Sequence, residues 1–116
     1  MFRFESLQIW RDAISYATIL YVVARKFPKE ETFALSDQLR RAATSISNNI
    51  AEGLGNASTK DFCSFIGIAI KSTLETVNIL YLAKEFGYIV EPQRVELYGK
   101  AEELVKKMRA FKYSLQ

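Results

Sequence analysis

Residues 35–56 read LSDQLRRAATSISNNIAEGLGN, and the fold turns on how this stretch is patterned. Leu35, Leu39, Ala42, Ile46 and Ile50 recur at three- and four-residue steps, the spacing of one face of an α-helix. Arg41, Ser45, Asn49 and Glu52 keep the same steps about a third of a turn away, so an apolar seam runs beside a polar ladder. Gly53 and Gly55 are expected to end the helix, because glycine reaches the left-handed conformation that closes a C-terminus.

Outward from this helix the chain offers three more. On the N-terminal side, Ser6 or Glu5 is expected to open a helix at about 6–27 that stops before Pro28. It carries two apolar seams. Leu7, Trp10, Ile14, Ala17, Tyr21 and Ala24 form one, and Ile9, Ala13, Tyr16, Leu20, Val23 and Phe27 form the other. Two seams exceed what a surface helix shows, so this helix is either central or covered by another subunit. The residue 35–56 helix itself is placed at 34–53, capped by Thr32 or Ser36. Beyond it, Ser58 and Asp61 have the form of a capping box for a third helix at 59–86, apolar nearly all round and stopped by Gly87. Glu91-Pro92 opens a fourth at 92–114. There Leu97, Ala101, Leu104, Met108, Phe111 and Leu115 keep the four-three spacing of coiled-coil packing. With short links and no alternating strand pattern, the expected fold is all-α, an antiparallel up-down-up-down four-helix bundle in a single domain, 1–116.

Composition narrows the chemistry. The 116 residues carry a formal charge of +3 and a globular balance of apolar and charged side chains. Residues 1–91 hold ten basic and ten acidic groups, so all the net charge comes from the segment after Glu91. Cys63 is the only cysteine, which precludes a disulfide within the chain and suits a reducing cytoplasm. In residues 62–83, 14 of 22 are apolar, but Lys71, Glu75 and Asn78 interrupt the run, so no membrane span is expected.

There is no histidine, hence no common general base and no Glu-x-x-His di-iron site. Cys63 lies on an apolar helix and reads as a core residue. Gly53-Leu54-Gly55 follows a helix instead of a strand, so it is not a dinucleotide loop. No catalytic, cofactor or metal residue is therefore assigned. The polar ladder has two readings. Arg41, Ser45, Asn49 and Glu52, with Asn48 beside them, present donors that suit an anionic ligand. The preferred reading is structural: Arg41, Ser45, Asn49, Glu52 and Glu75 form a network fixing helix register, with Arg41 paired to Glu52 or Glu75. Lys71 sits one turn before Glu75 and would join it. Lys100, Lys106, Lys107, Arg109 and Lys112 are the candidate phosphate contacts. On a projection of helix four, Lys106 and Arg109 lie opposite the apolar seam with Glu102 between them, while Lys100 and Lys107 share a flank with Glu103 and Glu96. A spread of this kind is a weak footprint for one chain, but in a ring of five copies +3 becomes about +15.

Gln38-Leu39-Arg40-Arg41-Ala42-Ala43, Ser45-Ile46 and Asn49-Ile50-Ala51-Glu52-Gly53 strongly resemble a bacterial family, the four-helix-bundle proteins encoded in intervening sequences of 23S ribosomal RNA genes. Phe4-Glu5-x-Leu7-x-Ile9-Trp10-x-x-Ala13 is similar to that family's opening. Phe62-x-x-Phe65-Ile66-x-Ile68-Ala69, Ser72, Glu75 and Gly87-Tyr88-Ile89 match its second half. Lys71 departs from the pattern, which commonly has glycine there. The resemblance implies a bundle and, in relatives, a homopentamer. A related fold serves as the accessory variability protein of diversity-generating retroelements, working with a reverse transcriptase and nucleic acid. The family itself has no established activity. The expectation is thus a non-enzymatic, cytoplasmic homo-oligomeric accessory protein contacting RNA or DNA through helix four. The alternative is an adaptor ring that holds a reverse transcriptase or other protein and touches no nucleic acid. An enzyme built on Arg41 and Glu52 ranks last.

Overall fold

The computed structural model describes residues 1–55 and 58–116. Four helices carry it: α1 (Gln8–Arg25), α2 (Leu35–Leu54), α3 (Thr59–Glu85) and α4 (Glu91–Leu115). Short 3-10 turns at Arg3–Ser6 and Lys29–Glu31 precede α1 and α2. Each helix packs against the next in sequence, and α4 returns to touch α1, the contact square of an antiparallel four-helix bundle. The body measures 44 × 24 × 21 Å.

The helix ends show which local signals acted. Ser58 caps α3 as expected, its hydroxyl accepting the Asp61 amide at 3.0 Å. At the other end Gly87 has φ +81°. Its amide bonds the Lys84 carbonyl at 3.0 Å and the Tyr88 amide bonds Ala83 at 2.8 Å, a Schellman closure. Elsewhere the expectation is corrected. Neither Ser6 nor Glu5 caps α1. Ser6 donates to its own turn at the Arg3 carbonyl, and Leu7, in extended conformation, precedes the helix. At α2 the cap is Ala34, and neither Thr32 nor Ser36 supplies an oxygen. The Glu31 carboxylate takes the Leu35 amide at 3.3 Å, because the preceding 3-10 turn swings it over the helix start. Tyr88 donates to the other oxygen of Glu31 at 2.6 Å, tying the α3–α4 connection to the α1–α2 connection.

Gly53 and Gly55 do not close α2 through left-handed geometry. Gly55 has φ −76°, and Gly53 is helical and buried. A Cβ on Gly53 would stand 2.5 Å from Phe65 Cβ and 2.9 Å from Phe62 Cδ1, so its glycine serves the close approach of α2 and α3.

Leu20, Leu39, Ile46, Ile50, Ile66, Ile79, Leu80 and Met108 are fully buried between the four helices. Each such side chain contributes about 1.5–3 kcal/mol by leaving water. One polar layer crosses this core. Thr76 donates to the Thr73 carbonyl at 2.6 Å, so the Tyr16 hydroxyl, 2.8 Å away, donates to Thr76 and joins α1 to α3 across the diagonal. Burial raises the Tyr16 pKa to about 12. Of the two α1 seams, the one through Ile9, Ala13, Tyr16, Leu20, Val23 and Phe27 is wholly buried. The other leaves Ile14 and Tyr21 about two-fifths exposed. By length and composition α3 is the one described helix long and apolar enough to cross a bilayer, yet it packs against α2 and α4 and its buried Thr76 reaches Tyr16 of α1. Its outer side still shows Ile68, Leu74 and Tyr81 to solvent.

Candidate nucleic-acid interface

Helix α4 begins after an extended Val90, with Pro92 in its first turn, where a missing amide costs nothing. Leu97, Ala101, Leu104, Val105 and Met108 bury one face. That seating determines where the basic residues emerge, and they emerge on three sides. Lys107 turns toward α1, 3.2 Å from Asp12 Oδ2 and 3.2 Å from Glu103 Oε1. The hydrogen bond to Asp12, then that to Glu103, raises its pKa. Lys100 lines the same α1–α4 cleft, beside Asp12 and Glu103. Lys106 and Arg109 are exposed on the opposite flank. They line a groove of about 790 Å³ with Leu74 and Val77 of α3 and with Tyr98, Glu102 and Glu103. Lys112 lies half-buried across the α3–α4 seam, its Nζ 3.4 Å from where a Cβ on Gly67 would be. The five candidates therefore do not form one face. Lys100 and Lys107 sit among carboxylates, while Lys106, Arg109 and Lys112 remain on the α3 side.

A sixth cation joins them. Lys60, in the first turn of α3, lines a cleft with Lys112. Its partner cation lies 52 residues further along the chain, and nothing local in the sequence marks the pairing. Arg94, counted in the C-terminal excess, is absorbed structurally. Its guanidinium lies 4.3 Å above the Tyr81 ring and 5.8 Å from that of Tyr98, and it pairs with Glu91. Glu91 also reaches Lys84 at 3.6 Å.

The polar ladder on α2 divides. Arg41 pairs with Asp37, Nε to Oδ2 at 2.8 Å, and not with Glu52 or Glu75. Asp37 is one turn away, whereas Glu52 is eleven residues along the same helix, about 16 Å by the helical rise. Ser45 does reach the neighbouring helix: its hydroxyl meets Ser72 at 2.8 Å. Asn49 backs it, donating to the Ser45 carbonyl at 2.7 Å and hydroxyl at 3.0 Å. Glu52, Glu75 and Lys71 are exposed, outside this clip. The clip holds no charged group, so it joins α2 to α3 without an ionisable centre. Cys63 is a buried thiol. Among the described residues no group of three or more side chains is placed to hold a metal ion.

The comparisons with known proteins agree with this architecture. No curated protein matches the sequence. A crystal structure of a protein of unknown function from the S23 ribosomal protein family of Bacteroides thetaiotaomicron VPI-5482 is similar to the chain, with a TM-score of 0.82 and 26% identity. The likeness covers 90% of this chain and 97% of that one. The family model described as 23S rRNA-intervening sequence protein matches residues 5–110. Nearly the whole bundle lies within that span, and the chain belongs to the 23S rRNA-intervening sequence protein family.

Proposed function

We propose that the protein is a non-enzymatic scaffold that self-associates, as a ring of five in the reading its resemblance suggests, and carries nucleic acid on the α3 side of α4. The observation behind this reading is the position of the uncovered apolar residues. Ile14 and Tyr21, with half-buried Trp10, lie on the α1 side. Leu74, Tyr81, Val95 and Tyr98 lie on the α3–α4 side. These are different surfaces, and unlike surfaces repeat head to tail, closing into a ring where the rotation allows. Light scattering tests it. The expected mass is a multiple of 13.3 kDa that falls to one chain in Ile14→Glu or Leu74→Glu; a wild-type mass of one chain would remove the scaffold reading.

For nucleic acid, Lys106, Arg109 and Lys112 are the contacts, and Lys60 is added to them. Lys107 drops out because it is ion-paired with Asp12 and Glu103, and Lys100 because it opens onto the same α1–α4 cleft, away from the α3 side. Fluorescence anisotropy of RNA and DNA across a salt series should show steep salt dependence that flattens in Lys106→Glu/Arg109→Glu. The presence of Glu102 and Glu103 in the groove with Lys106 and Arg109 favours the second reading, an adaptor ring for a protein such as a reverse transcriptase. No binding of either nucleic acid at low salt would select it. The absence of histidine and the burial of the single thiol support a non-enzyme working in a reducing cytoplasm.

A further inference from the structure

We propose that the cleft between the start of α3 and the end of α4 is a phosphoryl-binding site. The cleft has a volume of about 420 Å³. Thr59, Lys60 and Ser64 line it from α3, and Lys112 and Gln116 from the end of the chain, with no carboxylate side chain among its walls. Its distinguishing feature is the state of Lys112. Among the described residues four cationic side chains are half-buried: Arg40, Lys84, Arg94 and Lys112. Three of them have a carboxylate within reach, Asp37 for Arg40, Glu85 and Glu91 for Lys84, and Glu91 for Arg94. Lys112 forms no ion pair among the described residues. Lys112 thus brings an ammonium without a counter-ion to the cleft, and a second ammonium, Lys60, lines the same walls, so two like charges face one space. An anion between them relieves that repulsion.

The geometry points to a phosphoryl group in particular. A phosphate monoester carries close to two negative charges and three acceptor oxygens, matching two ammonium groups and two hydroxyls. Ser64 donates at present to the Lys60 carbonyl at 3.2 Å, an exposed bond that a rotating hydroxyl exchanges readily. The Lys112 ammonium lies over Gly67, 3.4 Å from where a Cβ would stand, so the side chain crosses α3 at a position with no side chain of its own. The same chemistry is supplied by inorganic phosphate or by the terminal phosphate of a nucleic-acid strand. The second source rests on the nucleic-acid reading above; the first does not.

The test uses the full chain. Amide resonances of residues 59–64 and 112–116 are followed by NMR as inorganic phosphate is added against a sodium chloride control. In parallel, 5′-phosphorylated and 5′-hydroxyl oligonucleotides of one sequence are compared by anisotropy. Saturable shifts at those residues are expected, lost in Lys112→Gln and reduced in Lys60→Gln, with Lys100→Gln unchanged. A 5′-phosphate that tightens binding roughly tenfold, the worth of one charge-assisted hydrogen bond, supports the site with a strand end as its source. Phosphate shifts without a 5′-phosphate preference support it with free phosphate as the source. If neither inorganic phosphate nor a 5′-phosphate has an effect, the site is overturned. Salt-dependent binding of the 5′-hydroxyl strand in that case would leave the nucleic-acid reading standing. Circular dichroism of each variant verifies its fold, and Lys60→Gln, at an exposed position, keeps the question answerable if Lys112→Gln unfolds.

Discussion

Gly53 stands where α2 lies against Phe62 and Phe65 of α3, and no side chain fits there unless something moves. In an exposed helix interior, Gly→Ala is stabilising by roughly 1 kcal/mol. Here the new methyl would meet Phe65 Cβ at 2.5 Å, an atom anchored to the α3 backbone. Overpacking of this kind costs about 1–3 kcal/mol. Gly53→Ala is therefore expected to lower the urea midpoint despite its better helix propensity; a raised midpoint would show that α3 yields easily. Tyr16 offers a second test at this scale. Its folded pKa, about 12, lies above the ordinary value of 10.0 because burial disfavours the phenolate. The stability linked to it is fully present below pH 10 and disappears as pH rises from 10 to 12. By the relation between pKa shift and free energy this is about 2–3 kcal/mol. Tyr16→Phe should remove that alkaline loss while costing about 1 kcal/mol at neutral pH, the net worth of one hydrogen bond. Denaturation midpoints measured from pH 8 to 12 for both proteins decide the matter.

Among the elements, α3 shows how far a pattern read from the chain carries. Its Ser58 cap and Gly87 stop are local chemistry, and both signals sit within a few residues of their effect. Gly87→Ala would force an L-residue to φ +81°, and the left-handed conformation costs roughly 1–2 kcal/mol. Nothing lies within 4 Å of the added methyl, so the measured loss should stay in that range. A larger one would mean that the Tyr88–Glu31 hydrogen bond breaks as well. The nearly all-round apolarity of α3 does not translate into burial: Ile68 and Leu74 stay exposed, and Tyr81 meets α4 only at the surface, under Arg94 and edge-on to Tyr98. In α4 the apolar seam was legible, and with it the two-flank division of Lys100 and Lys107 from Lys106 and Arg109. The partners that neutralise Lys107 were only half legible. Glu103 is one turn away on the same helix, but Asp12 arrives from α1, 95 residues earlier.

For the whole molecule, the scaffold reading makes a quantitative demand. Apolar strips on two different sides must be covered in solution, so the isolated chain should not be the dominant species at micromolar concentration. Sedimentation of Tyr21→Glu is expected to show smaller particles with an unchanged helical spectrum. Assembly that survives this substitution would move the interface away from α1.

Helix number, helix order and the antiparallel bundle follow from the sequence by itself, because the three- and four-residue apolar spacing, the Ser58 cap, the Gly87 stop and Pro92 each act within a turn or two of where they lie. The family signature is equally local, concentrated on α2 between Gln38 and Gly53. Only the tertiary structure decided which of these residues meet. It turned Gly53 from a helix stop into a point of contact, because α3 passes within van der Waals distance there. It set Ser45 against Ser72 and brought Lys60 into one cleft with Lys112, from the start of α3 and the end of α4. Those pairings depend on the rotation and axial shift of helices packed side by side, and no short stretch of sequence contains either quantity.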